Sequence, residues 1–174
     1  FNRTNREFGY SEASILNYNK DNMTYMERTL EVPFLPEQMF ELVNDIPSYP
    51  KFLPWCADTK VLRESDGAMQ ARITISKGKL THSLITANSL VRNERIILNL
   101  MDGPFKYLRG SWEFLPKNNG CKVIFLLDFE LRNKLLGMAF AAVNQHVVSA
   151  LMYAFEKRAY NLYGNSRADS SCIS

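Results

Sequence analysis

The sequence predicts an α+β fold in which a curved antiparallel sheet of about six or seven strands wraps a long C-terminal helix. Two observations predict it. Runs of alternating apolar and polar residues, separated by turn signals, fill the middle of the chain. A segment from about Asn133 to Tyr163 then follows with helical period and far more apolar surface than one sheet face needs.

The elements follow in order. Residues 1–25 read as a flexible polar extension, with Met23 or Met26 as a candidate start, residues 26–164 as the domain, and residues 165–174 as a flexible tail. Glu27 to Pro33 reads as a first strand. Leu35-Pro36-Glu37-Gln38 opens a helix, with proline in the first turn and an acid at the positive end. Met39, Phe40 and Val43 give that helix an apolar face. Asp45 to Pro54 is a turn-rich connector, unusually greasy because of Tyr49, Phe52 and Leu53, with Trp55 just beyond.

Asp66-Gly67, Lys77-Gly78, Asp102-Gly103-Pro104 and Asn119-Gly120 then punctuate a series of strands. Met69, Ala71, Ile73 and Ile75 share one face, as do Leu108, Gly110, Trp112 and Phe114. Cys121, Val123, Phe125, Leu127 and Phe129 form an apolar stripe opposite Lys122, Asp128 and Glu130. Strands linked by hairpins with one wet face imply an antiparallel meander. On a helical wheel, Gln145, Ser149 and Glu156 mark the wet side of the final helix. Leu136, Phe140, Val143, Val147, Ala150, Leu151 and Ala154 mark the opposite side, with Met138, Ala141, Ala142 and Met152 on the polar side. The first half is greasy nearly all round, so it is expected to be embraced or to wall a cavity.

Bulk properties narrow the function classes. A chain of 174 residues is one domain in size and buries a real core. The net charge of +3 lies wholly between Met23 and Gly164, because the charges of both terminal stretches cancel. That permits contact with RNA or anionic lipid without demanding it. Three cysteines, Cys56, Cys121 and Cys172, match no metal knuckle and read as reduced thiols of a cytoplasmic-type compartment. The stretch from Leu135 to Phe155 is broken by Asn144, Gln145, His146 and Ser149, so it does not read as a membrane span.

Several motifs carry a resemblance. Glu41-Leu42-Val43-Asn44-Asp45-Ile46-Pro47-Ser48-Tyr49-Pro50-Lys51-Phe52-Leu53-Pro54-Trp55-Cys56 is one. Asp102-Gly103-Pro104-Phe105-Lys106 followed by Gly110-Ser111-Trp112-Glu113-Phe114 is another. Asp128-Phe129-Glu130-Leu131 with Asn133-Lys134-Leu135, and Ala154-Phe155-Glu156-Lys157-Arg158-Ala159 through Leu162-Tyr163-Gly164, complete the set. Over Met26 to Gly164 the chain resembles the START-like (helix-grip) family of bacterial ribosome association toxins and mitochondrial coenzyme-Q-binding chaperones, within the polyketide cyclase/dehydrase superfamily. The extension before Met23 is outside that pattern, and Trp55 is closer to the mitochondrial branch.

The resemblance implies two roles. One is non-catalytic binding of ubiquinone or a related polyprenyl lipid, supporting respiratory quinone function, and this is the leading expectation. The alternative is a toxin that binds the large ribosomal subunit and blocks subunit association. A polyketide cyclase-like enzyme is the second alternative. Expected partners are therefore an isoprenoid quinone or other lipid, the large ribosomal subunit and a transient membrane surface, with no DNA. No cofactor is required. The expected location is the bacterial cytoplasm or the periphery of the inner membrane.

Inward-facing candidates for a lipid cavity are Phe52, Trp55, Ile73, Ile75, Leu84, Leu98, Leu108, Trp112, Phe125 and Phe129 from the sheet side. The helix adds Leu136, Phe140, Val143 and Val147. The plain alternative for each is core packing. A prenyl tail would gain about 0.8 kcal/mol per buried CH₂ there. Lys51, Tyr107 and Arg109 are candidate head-group contacts. The aromatics of Tyr49 to Trp55 suit a lid or membrane-touching tip as well as a packed loop. Basic residues such as Lys77, Lys79, Arg92, Arg95 and Lys106 read as scattered solvated charges. His82 and His146 belong to no triad, the carboxylates to no acid–base pair, and no catalytic or metal-ligating residue is expected.

Overall fold

The computed structural model describes residues 19–20, 23–132 and 144–164. An eight-stranded antiparallel sheet carries the fold: β1 (Asn19–Lys20), β2 (Met23–Val32), β3 (Cys56–Ser65), β4 (Ala68–Lys77), β5 (Leu80–Val91), β6 (Arg95–Asp102), β7 (Phe105–Lys117) and β8 (Gly120–Leu131). Helix α1 spans Pro36–Asn44, a 3₁₀ helix spans Ile46–Lys51, and α2 spans Asn144–Tyr163. The sheet order is β1-β2-β8-β7-β6-β5-β4-β3. The meander β3 to β8 runs in chain order, and β2 joins its far end against β8. The strand expected from Glu27 is β2 and begins at Met23, and its pairing with β1 reaches back to Asn19.

Local chemistry fixes the pieces. Pro36 opens α1, and Gln38 Oε1 accepts the Leu35 backbone N–H at 2.9 Å. The connector is a buried turn rather than a loose link: Ile46, Ser48 and Tyr49 are buried, and the Tyr49 hydroxyl donates to Val43 O. Register shifts leave an extra, unpaired residue at Ala57 and at Leu62 in β3, at Met101 in β6 and at Lys106 in β7. Each bends its strand and adds twist, so the sheet curls about its apolar face. At Gly110, mid-β7, a Cβ would sit 3.2 Å from Leu98 and Leu127 side-chain atoms, so these two leucines close over the glycine.

The concave face buries Met26, Val32, Met69, Ala71, Ile96, Leu108, Trp112, Phe114, Val123, Phe125 and Phe129. Against it α2 presents Val148, Met152, Phe155 and Ala159. This stripe departs from the expected helix face. Met152 is buried rather than wet, Leu151 and Ala154 are only half-buried, and Glu156 is half-buried rather than solvated. Ser149 is exposed, as expected. The cause is one residue. Phe155 fills the space between Trp112, Tyr49 and Phe52, with ring centroids at 5.0, 5.4 and 5.3 Å. That large ring turns the helix until positions one and two turns away follow it inward. The C-terminal turn is held by Tyr163, whose hydroxyl donates to Gln38 O at 3.2 Å, and by Tyr160 against Phe34 at 5.0 Å.

Phe155 is 1% exposed. Phe155→Ala is therefore expected to lower the unfolding free energy by about 3–5 kcal/mol. Tyr153→Ala on the exposed side should change it by about 0.5 kcal/mol or less. Urea denaturation followed by circular dichroism measures both, and similar losses would refute the helix orientation.

Candidate functional site

The concave face is more polar than its sequence suggested. Cross-strand partners share a face, so Arg28, opposite Phe125, points into the grip, as does Asn88, opposite Leu98 and Met69. Thr86 sits beside it, opposite Leu100 and Ala71. Among the described residues the buried polar side chains are Arg28, Ser48, Thr86 and Asn88. Asn88 Oδ1 is enclosed without a hydrogen-bond partner. Arg28 Nη1 donates to Glu27 O at 2.7 Å. Its phase with Met26, Leu30 and Val32 is a readable signal of the inward face.

The expected cavity residues divide. Leu108, Trp112, Phe125 and Phe129 are buried in the core. Phe52, Trp55, Ile73, Leu84 and Leu98 are half-buried. Ile75 faces inward by register but is 44% exposed, because it lies near the open end of the β4–β5 hairpin. Leu136, Phe140 and Val143 and the Val147 side chain lie outside the described residues and side chains. At that open end Trp55 has φ of 63°, an unusual conformation for a bulky residue. It is pinned there: Ser76 N–H donates to Trp55 O at 2.8 Å, and Lys77 Nζ lies 4.9 Å from the ring centroid. Arg158 similarly covers Phe52, at 5.5 Å.

The expected head-group contacts do not converge at the mouth. Lys51 is exposed at the end of the 3₁₀ helix. Tyr107 and Arg109 are on the convex face, because they alternate with the inward Leu108 and Gly110. There they line a depression of about 310 Å³ with Tyr25, Arg95, Ile97, Ser111, Glu113, Leu126 and Asp128. Burial, and next the Asp128 carboxylate, pushes the Tyr107 phenol above its ordinary pKa. Tyr25, raised first by burial and next by Glu27, donates to Glu27 Oε2 at 3.3 Å. Two arginines and two tyrosines thus meet where the sequence showed only scattered charges. Cross-strand register sets Arg95 opposite Glu113 and Arg109 opposite Asp128; strand phase gives the shared face, but not these pairings.

Reactive groups are sparse. Burial pushes the Cys121 thiol up to about 11, which makes it a poor nucleophile at neutral pH. Cys56 is half-buried and also raised, first by burial and then by Asp58. Among the described residues no three His, Cys, Asp or Glu side chains cluster as metal ligands. No helix among them is long and apolar enough to cross a membrane.

Comparison with known proteins adds the relationship. The family model described as polyketide cyclase / dehydrase and lipid transport matches residues 32–156. The ribosome association toxin RatA of Escherichia coli (strain K12) is 42% identical over 142 residues, covering 81% of this chain and 90% of that protein. The mitochondrial coenzyme Q-binding protein COQ10 homolog B of Xenopus laevis is 29% identical over 136 residues, covering 75% of this chain and 56% of that protein. A START superfamily protein from Mycobacterium smegmatis superposes with a TM-score of 0.69 at 23% identity, over 79% of this chain and 98% of that one.

Glu156 offers a pH test of the interior. Burial raises its carboxyl pKa, so the folded state binds the proton more readily than the unfolded chain does. The resulting stability is present below the unfolded pKa of about 4.3 and is lost as pH rises through the folded value. Glu156→Gln should therefore raise Tm at pH 7, with the gain shrinking toward pH 4. Thermal denaturation at both pH values checks it, and an equal effect at both would contradict the half-buried placement.

Proposed function

The chain belongs to the polyketide cyclase / dehydrase and lipid transport family, with a START-like fold, and from that premise we propose that it associates with the ribosome at the large subunit. The observation that carries this reading is the 42% identity to a ribosome association toxin, spanning 81% of one chain and 90% of the other. It reverses the ordering expected from the sequence, where quinone binding led. The coenzyme Q-binding relative is more distant, and the chain spans little more than half of it.

The convex depression supplies a suitable surface. Arg95 and Arg109 offer planar donors for phosphate, and Tyr25 and Tyr107 offer rings for an unstacked base. Glu113 and Asp128 set limits on how an anionic chain can lie there. Lipid binding in the grip is the second reading. Half-buried Ile73 and Leu84 beside exposed Ile75 favour it, because they leave apolar surface uncovered at one end of the concave face. An enzymatic reading has less support: the buried polar side chains described include no carboxylate and no histidine.

Co-sedimentation with purified ribosomal subunits across a salt series tests the first reading. Pelleting with the large subunit at low salt, falling steeply as salt rises, is expected. The double variant Arg95→Glu/Arg109→Glu should weaken binding about tenfold or more and flatten the salt dependence. Absence of co-sedimentation at every salt concentration would overturn the proposal.

A further inference from the structure

Arg28 is the only charged side chain buried among the described residues, at 4% exposed. β2 places it on the concave face, in one cross-strand row with Phe125 and Trp112. The ion pairs described are Arg72–Asp58, Lys106–Glu130 and Lys117–Glu31, so no carboxylate among the described residues answers its charge. Its hydrogen bond goes to a neutral acceptor, Glu27 O. Its pKa is lowered by burial alone, with no neighbouring charge contributing. Arginine nevertheless stays protonated in proteins.

A guanidinium with most of its surface taken from water and no counter-charge beside it is costly, and an apolar residue in its place would pack without that cost. Two further facts point to a ligand. The fully enclosed, unpartnered atoms are Arg72 Nε and Asn88 Oδ1, so the remaining Arg28 nitrogens are not sealed in. The surfaces beside Arg28 are apolar: Met26 and Leu30 on its own strand, Phe125 across from it. A partner must bring an anion on an apolar body. A neutral quinone carbonyl would accept a hydrogen bond there but would leave the charge uncompensated. A carboxylate would accept two N–H groups of the guanidinium fork and neutralise it.

We propose that Arg28 anchors an internal binding site for an amphiphilic monocarboxylate, with the acid on the guanidinium and the apolar chain along the concave face. The proposal is independent of the ribosome reading, which concerns the opposite face of the sheet. The test is calorimetric titration of delipidated full-length protein with laurate and with methyl laurate, both below micelle-forming concentrations. Laurate should bind about tenfold or more tightly than its ester, the range of a charge-assisted hydrogen bond. Arg28→Met should bring the two affinities together, and Arg28→Lys should keep part of the preference. Circular dichroism checks that the variants fold; if Arg28→Met does not, the wild-type ratio and the lysine variant decide. Equal affinities in the wild type, a preference that survives in Arg28→Met, or no saturable binding of either compound would overturn the proposal.

Discussion

A sheet with one apolar face cannot remain curled around nothing, and in this fold the packing of Phe155 against Trp112 is what it curls around. The ring also meets Tyr49 and Phe52 of the connector, so one residue ties the central strand, the final helix and the segment that follows α1. The bulges in β3, β6 and β7 permit the curvature, and this contact gives it a direction. Tyr49 completes the join from below through its hydrogen bond to Val43 O. Burial holds that phenol well above its ordinary pKa, so it stays a donor throughout the neutral range.

Much of this architecture was legible in the sequence because its signals are local. Asp66-Gly67 and Asn119-Gly120 do stand at hairpin turns, and the inward phase of Met69 to Ile75 and of Leu108 to Phe114 is the observed one. The helix face was not legible. A wheel weighs all apolar residues alike, whereas the real orientation follows the single ring that finds an aromatic nest, and Met152 goes in with it. The nest is assembled from residues roughly forty and one hundred positions away, which periodicity does not register.

The site depends on the same kind of distant contact. By residue type Tyr107 and Arg109 suit a cavity mouth, but their alternation with Leu108 puts them on the convex surface. Arg28, Thr86 and Asn88 do not stand out in the sequence, because a polar residue in a strand reads as wet until its cross-strand partners are known. The grip therefore separates two chemistries. Its outer face gathers two arginines and two tyrosines from β2, β6 and β7, and its inner face buries a lone cation among apolar walls. A sheet about one residue thick keeps them apart, so an outer partner and an inner ligand need not compete for the same atoms.

That separation, with the ribosome on the convex face, can be tested by placing a photo-cross-linking amino acid at one position on each face. Ser111 lines the convex depression, and Ile75 lies at the open end of the concave face. Irradiation with purified large ribosomal subunits should yield cross-links from position 111 and none from position 75. Cross-links from position 75 alone, or from neither position, would contradict the account.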